Sequence, residues 1–272
     1  MIRCNFHTHT SYCDGANTVE DMVRAAISKG FQALGFSGHS NLFFDDSYSM
    51  TEAGTIQYAA EVEAAKERYE DQIALFLGVE DDLHGHRPQF ERDYTIGAAH
   101  CIRIGDYYSS VDDVESIVVE DTKRFFGGDY YRYCAAYYEG LAQVQTITHC
   151  DFIAHFDLVT KFNEGNRFFD EEDPRYLRPA LETLEYLCRM GSSFEINTGA
   201  MSGGYRTVPY PSERLLRRVR ELGGSIVISS DSHSVHTLDA FFPEAIALAK
   251  RCGFRTSRIL TKNGWQDTPL ED

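Results

Sequence analysis

The sequence predicts an α/β fold built on a parallel sheet with helical crossovers. Short apolar runs alternate with segments of helical periodicity along the chain, and metal-ligand residue types recur just after those runs. A chain of 272 residues is long enough for one β/α barrel, a unit of roughly 250 residues. No linker or internal repeat divides it, so residues 1–272 are read as a single domain.

Residues 2–6 alternate apolar and polar side chains and form the first strand. Thr18 then caps a helix in which Val19, Met22, Val23, Ala26 and Ile27 recur at helical spacing until Gly30 ends it. Residues 31–37 are the second strand, 51–69 an Ala- and Glu-rich helix, 73–79 the third strand and 94–99 the fourth. The longest excursion follows, to Asp151, with Tyr131, Cys134, Tyr138, Leu141 and Val144 on one helical face. Residues 152–154 are the fifth strand. Asp173-Pro174 supplies an N-cap and a first-turn proline for a helix carrying Leu177, Leu181, Leu184, Leu187 and Cys188, and residues 193–196 are the sixth strand. Pro211 opens a helix through Leu215, Leu216, Val219 and Leu222 that Gly223-Gly224 ends. Residues 225–229 are the seventh strand, 243–252 the last helix and 258–261 a candidate eighth strand.

Composition narrows the function. Lys and Arg number 26 against 42 Asp and Glu, a net charge of −16, so neither a nucleic-acid backbone nor an acidic membrane surface is an expected partner. No run of apolar residues is long enough to span a bilayer, and the N-terminus lacks a secretory h-region. The seven cysteines include no C-x-x-C pair, which suits neither a disulfide framework nor a zinc ribbon and fits a reducing cytoplasm.

In parallel barrels the active site lies at the C-terminal ends of the strands. His7 and His9 follow the first strand, His39 the second, Glu80 the third, His100 the fourth, His155 the fifth, and Asp231 with His233 the seventh; Asp14 stands in the first loop. Alternate residues of an extended chain point the same way, so His7-Thr8-His9 and Asp231-Ser232-His233 can each present two ligands to one centre. A lone histidine at any one position would read as a hydrogen-bonded core residue. Six histidines and three carboxylates over six strand ends read as a metal site, with enough ligands for two or three divalent ions of zinc, manganese or iron. His84-Gly85-His86 lies beyond the third strand in a charged loop and reads as solvated, with substrate contact the alternative. His149 precedes the fifth strand and is read as structural, and His236 as a residue behind the ligands. Cys13 and Cys101 lie near the rim without a context that makes either a nucleophile.

These residues resemble the polymerase and histidinol phosphatase family of metal-dependent phosphoesterases. The resemblance runs through the opening Asn5-Phe6-His7-Thr8-His9-Thr10 with Asp14-Gly15, Phe36-Ser37-Gly38-His39, Leu77-Gly78-Val79-Glu80, Gly97-Ala98-Ala99-His100, residues 151–157 and residues 229–233, in order over nearly the whole chain. Residues 130–138 and 194–198 are similar to the histidinol-phosphatase branch, while the glycine-rich stretch 199–206 departs from it. The resemblance implies a distorted seven-stranded β/α (TIM-like) barrel with up to three metals at its C-terminal rim. It also implies hydrolysis of L-histidinol phosphate, a step of histidine biosynthesis, with Glu80 bridging metals and Glu80, Asp231 and His233 at the chemistry.

A water or hydroxide held between divalent ions would attack phosphorus while the metals neutralise the phosphoryl oxygens. Lys161 and Arg206, in loops after the fifth and sixth strands, are candidates for further contacts to the phosphate of a small phosphorylated substrate, with a solvated loop position the plainer reading of each. A phosphatase of another small ester such as a mononucleotide, and a metal-dependent regulatory module without turnover, are the alternatives. An amidohydrolase barrel also begins with H-x-H, but it would use a strand-end lysine and a single late aspartate.

Overall fold

The computed structural model describes residues 3–270. Strand β1 (Cys4–Asn5) leads to α1 (Val19–Ser28), whose N-cap Thr18 forms a capping box with Asp21 and whose end is followed by Gly30 at φ 75°. Then come β2 (Ala33–Phe36), α2 (Glu52–Arg68) capped by Thr51, β3 (Ala74–Asp82) and β4 (Tyr94–Ala98). The apolar face of α1 (Val19, Met22, Val23, Ala26) joins Tyr58, Val62 and Ala65 of α2 in one buried layer over β2 and β3.

After β4 the chain makes a hairpin, β5 (Cys101–Ile104) and β6 (Tyr107–Ser110), turned by Gly105-Asp106 with Gly105 at φ 64°. A two-residue turn with glycine at its first position matches the twist of the strands it joins. Helices α3 (Glu115–Phe126), α4 (Tyr130–Leu141) and the short α5 (Val144–Thr148) complete the excursion. The expected helical face is buried at Cys134, Tyr138 and Leu141, but Val144 belongs to the separate α5, because the chain turns at residues 142–143.

Strand β7 (Phe152–Ile153), α6 (Pro174–Arg189) capped by Asp173, β8 (Ser193–Asn197), α7 (Gly199–Ser202), α8 (Glu213–Glu221), β9 (Ile226–Ser229) and α9 (Phe242–Arg251) follow. Pro211 does not open α8; it precedes the N-cap Ser212, whose N–H is taken by Asp157. The candidate eighth strand is not part of the barrel either. It lies in β10 (Thr256–Thr261), which pairs antiparallel with β11 (Gly264–Pro269) in a hairpin of its own.

The seven remaining strands are parallel in the order β1-β2-β3-β4-β7-β8-β9, a nearly closed barrel with helices outside. The ends meet at a single bridge between Thr8 and Ser232: the Ser232 N–H donates to the His7 carbonyl (3.0 Å) and the His9 N–H to the Ser232 carbonyl (2.8 Å). Closure therefore falls on the two H-x-H and D-x-H segments themselves.

Inside, Tyr94 is the plug. Its hydroxyl lies 2.7 Å and 2.9 Å from the carbonyl oxygens of Phe6 and Phe36, and its ring packs edge-on to Phe6 and to Trp265 of β11. Trp265 donates its indole N–H to Asp151 (2.9 Å) and packs on Phe152, closing the end of the barrel where β4 and β7 begin. Gly35 and Gly78 leave room for the plug, since a Cβ at either position would overlap Tyr94. Among the described residues, no helix is long and apolar enough to cross a membrane. The overpacking predicts that Gly78→Ala destabilises the fold by about 1–3 kcal/mol, read as a lowered denaturant midpoint at unchanged slope. An unaltered midpoint would show that the plug has slack.

Candidate metal centre

The local sequence places the donors. The Thr8 N–H donates to the Ser37 hydroxyl and the Ser37 N–H to the Thr8 carbonyl, both at 2.9 Å, so the extended segment after β1 is held against the end of β2. His7 and His9, two residues apart, then face the same point. Asp231 adopts φ 50°, uncommon for a residue other than glycine, and a Cβ at the neighbouring Gly199 would come within 2.9 Å of its own Cβ. The bend after β9 thus turns Asp231 back to the barrel axis.

All nine predicted ligands converge at the C-terminal rim. Glu80 is central. Its Oε2 lies 3.2 Å from His7 Nε2, 3.6 Å from His9 Nε2 and 2.9 Å from His39 Nδ1, and its Oε1 lies 3.3 Å from His100 Nε2 and 2.9 Å from His155 Nε2. Asp231 Oδ1 stands 3.4 Å from His7 Nε2, 3.2 Å from His9 Nε2 and 3.6 Å from His233 Nδ1. Asp14 reaches His233 at 3.0 Å, His39 at 3.6 Å and His9 at 3.7 Å. One expectation is corrected: Glu80 does not follow the third strand but lies within it, because β3 continues through Asp82 in register with β4.

Burial opposes a charge on Glu80, yet the imidazoles of His7, His39 and His100 hold its carboxyl well below the usual range. Asp231 is held low in the same way by His7, His9 and His233. Burial and the adjoining His233 and His39 push His9 down to about 3, leaving its ring with a free lone pair at neutral pH. Despite close contacts of 3.2 Å between His7 Nε2 and Glu80 Oε2 and 2.9 Å between His39 Nδ1 and Glu80 Oε2, none of His7 Nε2, His9 Nε2 and Glu80 Oε2 makes a well-aligned hydrogen bond, although buried polar atoms seldom go unpaired. Three orphaned donor atoms aimed at one another, in a nitrogen and oxygen set without sulfur, fit divalent cations. Four overlapping groups are tight enough to hold an ion: His7, His9 and Asp231; His7, Glu80 and His155; His39, Glu80 and His100; and His9, Asp14, His39 and His233.

The rings are backed from behind by carboxylates that the sequence reading assigned no role. Asp82 lies 3.0 Å from His100 Nδ1 and Glu195 lies 2.7 Å from His7 Nδ1. The available signal was an acid embedded in an apolar strand, as in Phe194-Glu195-Ile196. The rim opens into a cavity of about 430 Å³ whose walls include Tyr48, Asp112, Lys161 and Tyr205.

Lys161 is on that wall, its ammonium 2.5 Å from the Asp112 carbonyl and 4.9 Å from the centre of the Tyr205 ring. Arg206 is elsewhere. Its buried guanidinium makes a two-pronged pair with Glu171 (2.8 Å and 3.1 Å) and donates to the Thr160 carbonyl, so it ties two loops together and does not line the cavity. Of the remaining histidines, His86 and His236 are exposed, His149 is an exposed helix cap, and His84 packs edge-on to Tyr108; none belongs to the rim groups. His236 therefore does not back the ligands. Burial raises the Cys13 and Cys101 thiols, which disfavours a thiolate nucleophile.

The chain is similar to known proteins over most of its length. The chain is 28% identical over 267 residues to a Deinococcus radiodurans protein named "Probable histidinol-phosphatase", covering 93% of this chain and 95% of the relative. A Schizosaccharomyces pombe protein of the same name is 24% identical over 277 residues, covering 94% and 89%. In fold, it is similar to the histidinol phosphate phosphatase of Lactococcus lactis, a crystal structure of a complex with zinc, L-histidinol and phosphate, with a TM-score of 0.70 at 21% identity over 97% of this chain and 99% of the other. The profile of the PHP domain matches residues 5–199, well over half the sequence, and the chain belongs to that family.

Proposed function

We propose that the chain is a metal-dependent phosphomonoesterase that hydrolyses L-histidinol phosphate to L-histidinol and phosphate. The observation that carries this reading is the convergence of nine nitrogen and carboxylate donors on the buried Glu80 at the mouth of a cavity sized for a small molecule. The substrate is suggested by the relatives named histidinol-phosphatase. We read residues 1–272 as one barrel unit acting in the cytoplasm, in keeping with seven unpaired cysteines, and the charge of −16 argues against a nucleic-acid partner.

The four donor groups would hold two or three zinc, manganese or iron ions, with Glu80 common to two groups and Asp231 and His233 completing the others. Such ions supply Lewis-acid activation of water and neutralise phosphoryl oxygens. The chain's own contribution is positional. His7, His9, His39, His100 and His155 fix the carboxylate of Glu80 from five directions, and the barrel closure at Thr8 and Ser232 fixes the two paired segments. Lys161 offers an ammonium to an anion entering the cavity, while Asp112 on the same wall suits a cationic alcohol portion.

Phosphate release from the metal-loaded protein should give a higher kcat/KM for histidinol phosphate than for AMP. A preference for AMP would move the assignment to a nucleotide phosphatase.

The two cations should separate cleanly. Lys161→Ala should raise KM by roughly 10- to 100-fold, the loss of one charge-assisted contact of about 1.5–3 kcal/mol, with little change in kcat. Arg206→Ala should instead lower the unfolding midpoint, by stranding Glu171, and leave KM of the folded enzyme much less affected. Equal KM effects would return Arg206 to the phosphate site.

A further inference from the structure

Six of the seven barrel strands, or the segments just beyond them, carry the candidate ligands; β8 carries none. It does, however, bring two buried polar residues to the same level. Glu195 Oε2 accepts hydrogen bonds from the His155 backbone N–H (2.9 Å) and from the Asn197 side chain (2.8 Å), while Oε1 lies 2.7 Å from His7 Nδ1. The Asn197 amide is oriented unambiguously, because its oxygen accepts the Gly199 N–H (2.8 Å) and its nitrogen must then donate to Glu195 and to Asp231 Oδ2 (3.2 Å).

We propose that Glu195, locked by Asn197, is a positioning residue that selects the tautomer of His7 and so directs its Nε2 lone pair into the rim. The inference rests on the metal reading above. A carboxylate can only accept, so the bond to Glu195 places the proton of neutral His7 on Nδ1 and leaves Nε2, which faces Glu80 and Asp231, free to ligate. Through the same two side chains β8 also holds the start of the His155 segment and one oxygen of Asp231. One ligand-free strand thereby aligns donors from three others.

The hydrogen-bond polarity makes a sharp distinction between substitutions. In Glu195→Gln the side chain keeps its size, but the two N–H groups at the Oε2 position demand the amide oxygen there. The amide NH2 must then face His7 Nδ1, which becomes an acceptor, and the proton moves to Nε2, where it blocks ligation. Glu195→Asp keeps an acceptor-only group at the cost of one methylene. A packing role would favour the isosteric Gln; the tautomer role favours Asp.

The test is a Zn²⁺ titration of the metal-depleted full-length protein against a chromogenic chelator, for wild type and both variants, with circular dichroism to establish folding. The expected result is that one zinc equivalent binds 10- to 100-fold more weakly in Glu195→Gln than in wild type, with Glu195→Asp in between. If the Gln protein does not fold, Glu195→Asp against Glu195→Asn asks the same question, with Asp expected to bind more tightly. Wild-type affinity in the amide variant, or amide binding equal to or tighter than acid binding, overturns the role of Glu195 alone. Uptake of less than one zinc by wild type overturns the metal reading itself, and this inference with it.

Discussion

A single buried carboxylate, Glu80, sits within 3.6 Å of five imidazoles, and the rest of the structure is arranged around keeping it there. An ionised carboxylate withdrawn from water is costly unless it is paired and hydrogen-bonded. Five rings from four strand ends supply that pairing, and each ring must be held by something else. Ser37 braces the His7-Thr8-His9 segment, Asp82 backs His100, and Glu195 backs His7. At the opposite end, Tyr94 and Trp265 fill the barrel so that the strands cannot slide past one another. The plug and the rim are thus one device, in which a packed interior keeps charged groups from relaxing apart.

The same constraint gives an acidic protein a place for an anion. With a net charge of −16, the surface field does not attract phosphate. Divalent cations held by only three carboxylates, Asp14, Glu80 and Asp231, would leave the rim positive while the surroundings remain negative. Lys161, 3.8 Å from the Asp112 carboxylate, places a cation on the cavity wall, whereas the buried Arg206 is held two-pronged by Glu171 away from that wall and serves the loops.

This division between near and far partners explains what could be read from the chain. The strand ends were legible because a short apolar run followed by His or Asp carries its meaning within a few residues, and the nine candidate donors that the fold brings together could be picked out without knowledge of distant contacts. The caps at Thr18 and Asp173 were legible for the same reason. The fate of Arg206 was not, since it depends on an acid 35 positions earlier that only the fold brings near. Nor was Glu195, whose contacts to His7 and to the His155 backbone span 188 and 40 residues. The apolar run at 258–261 has the composition of a barrel strand, but the barrel had already closed through Thr8 and Ser232, so it turned into a hairpin whose Trp265 stoppers the far end. The hairpin at 101–110 has a local signature in Gly105-Asp106, masked by the longer helical pattern that follows it.

The charge cluster around Glu80 is read as a place that holds metal. Anomalous diffraction from crystals of the protein purified without chelator, with data collected across the zinc, iron and manganese edges, tests it directly. Two or three peaks are expected within coordination distance of the rim donors, at least one of them beside Glu80. A rim with no anomalous peak, in a protein whose phosphatase activity survives exhaustive chelation, would contradict it.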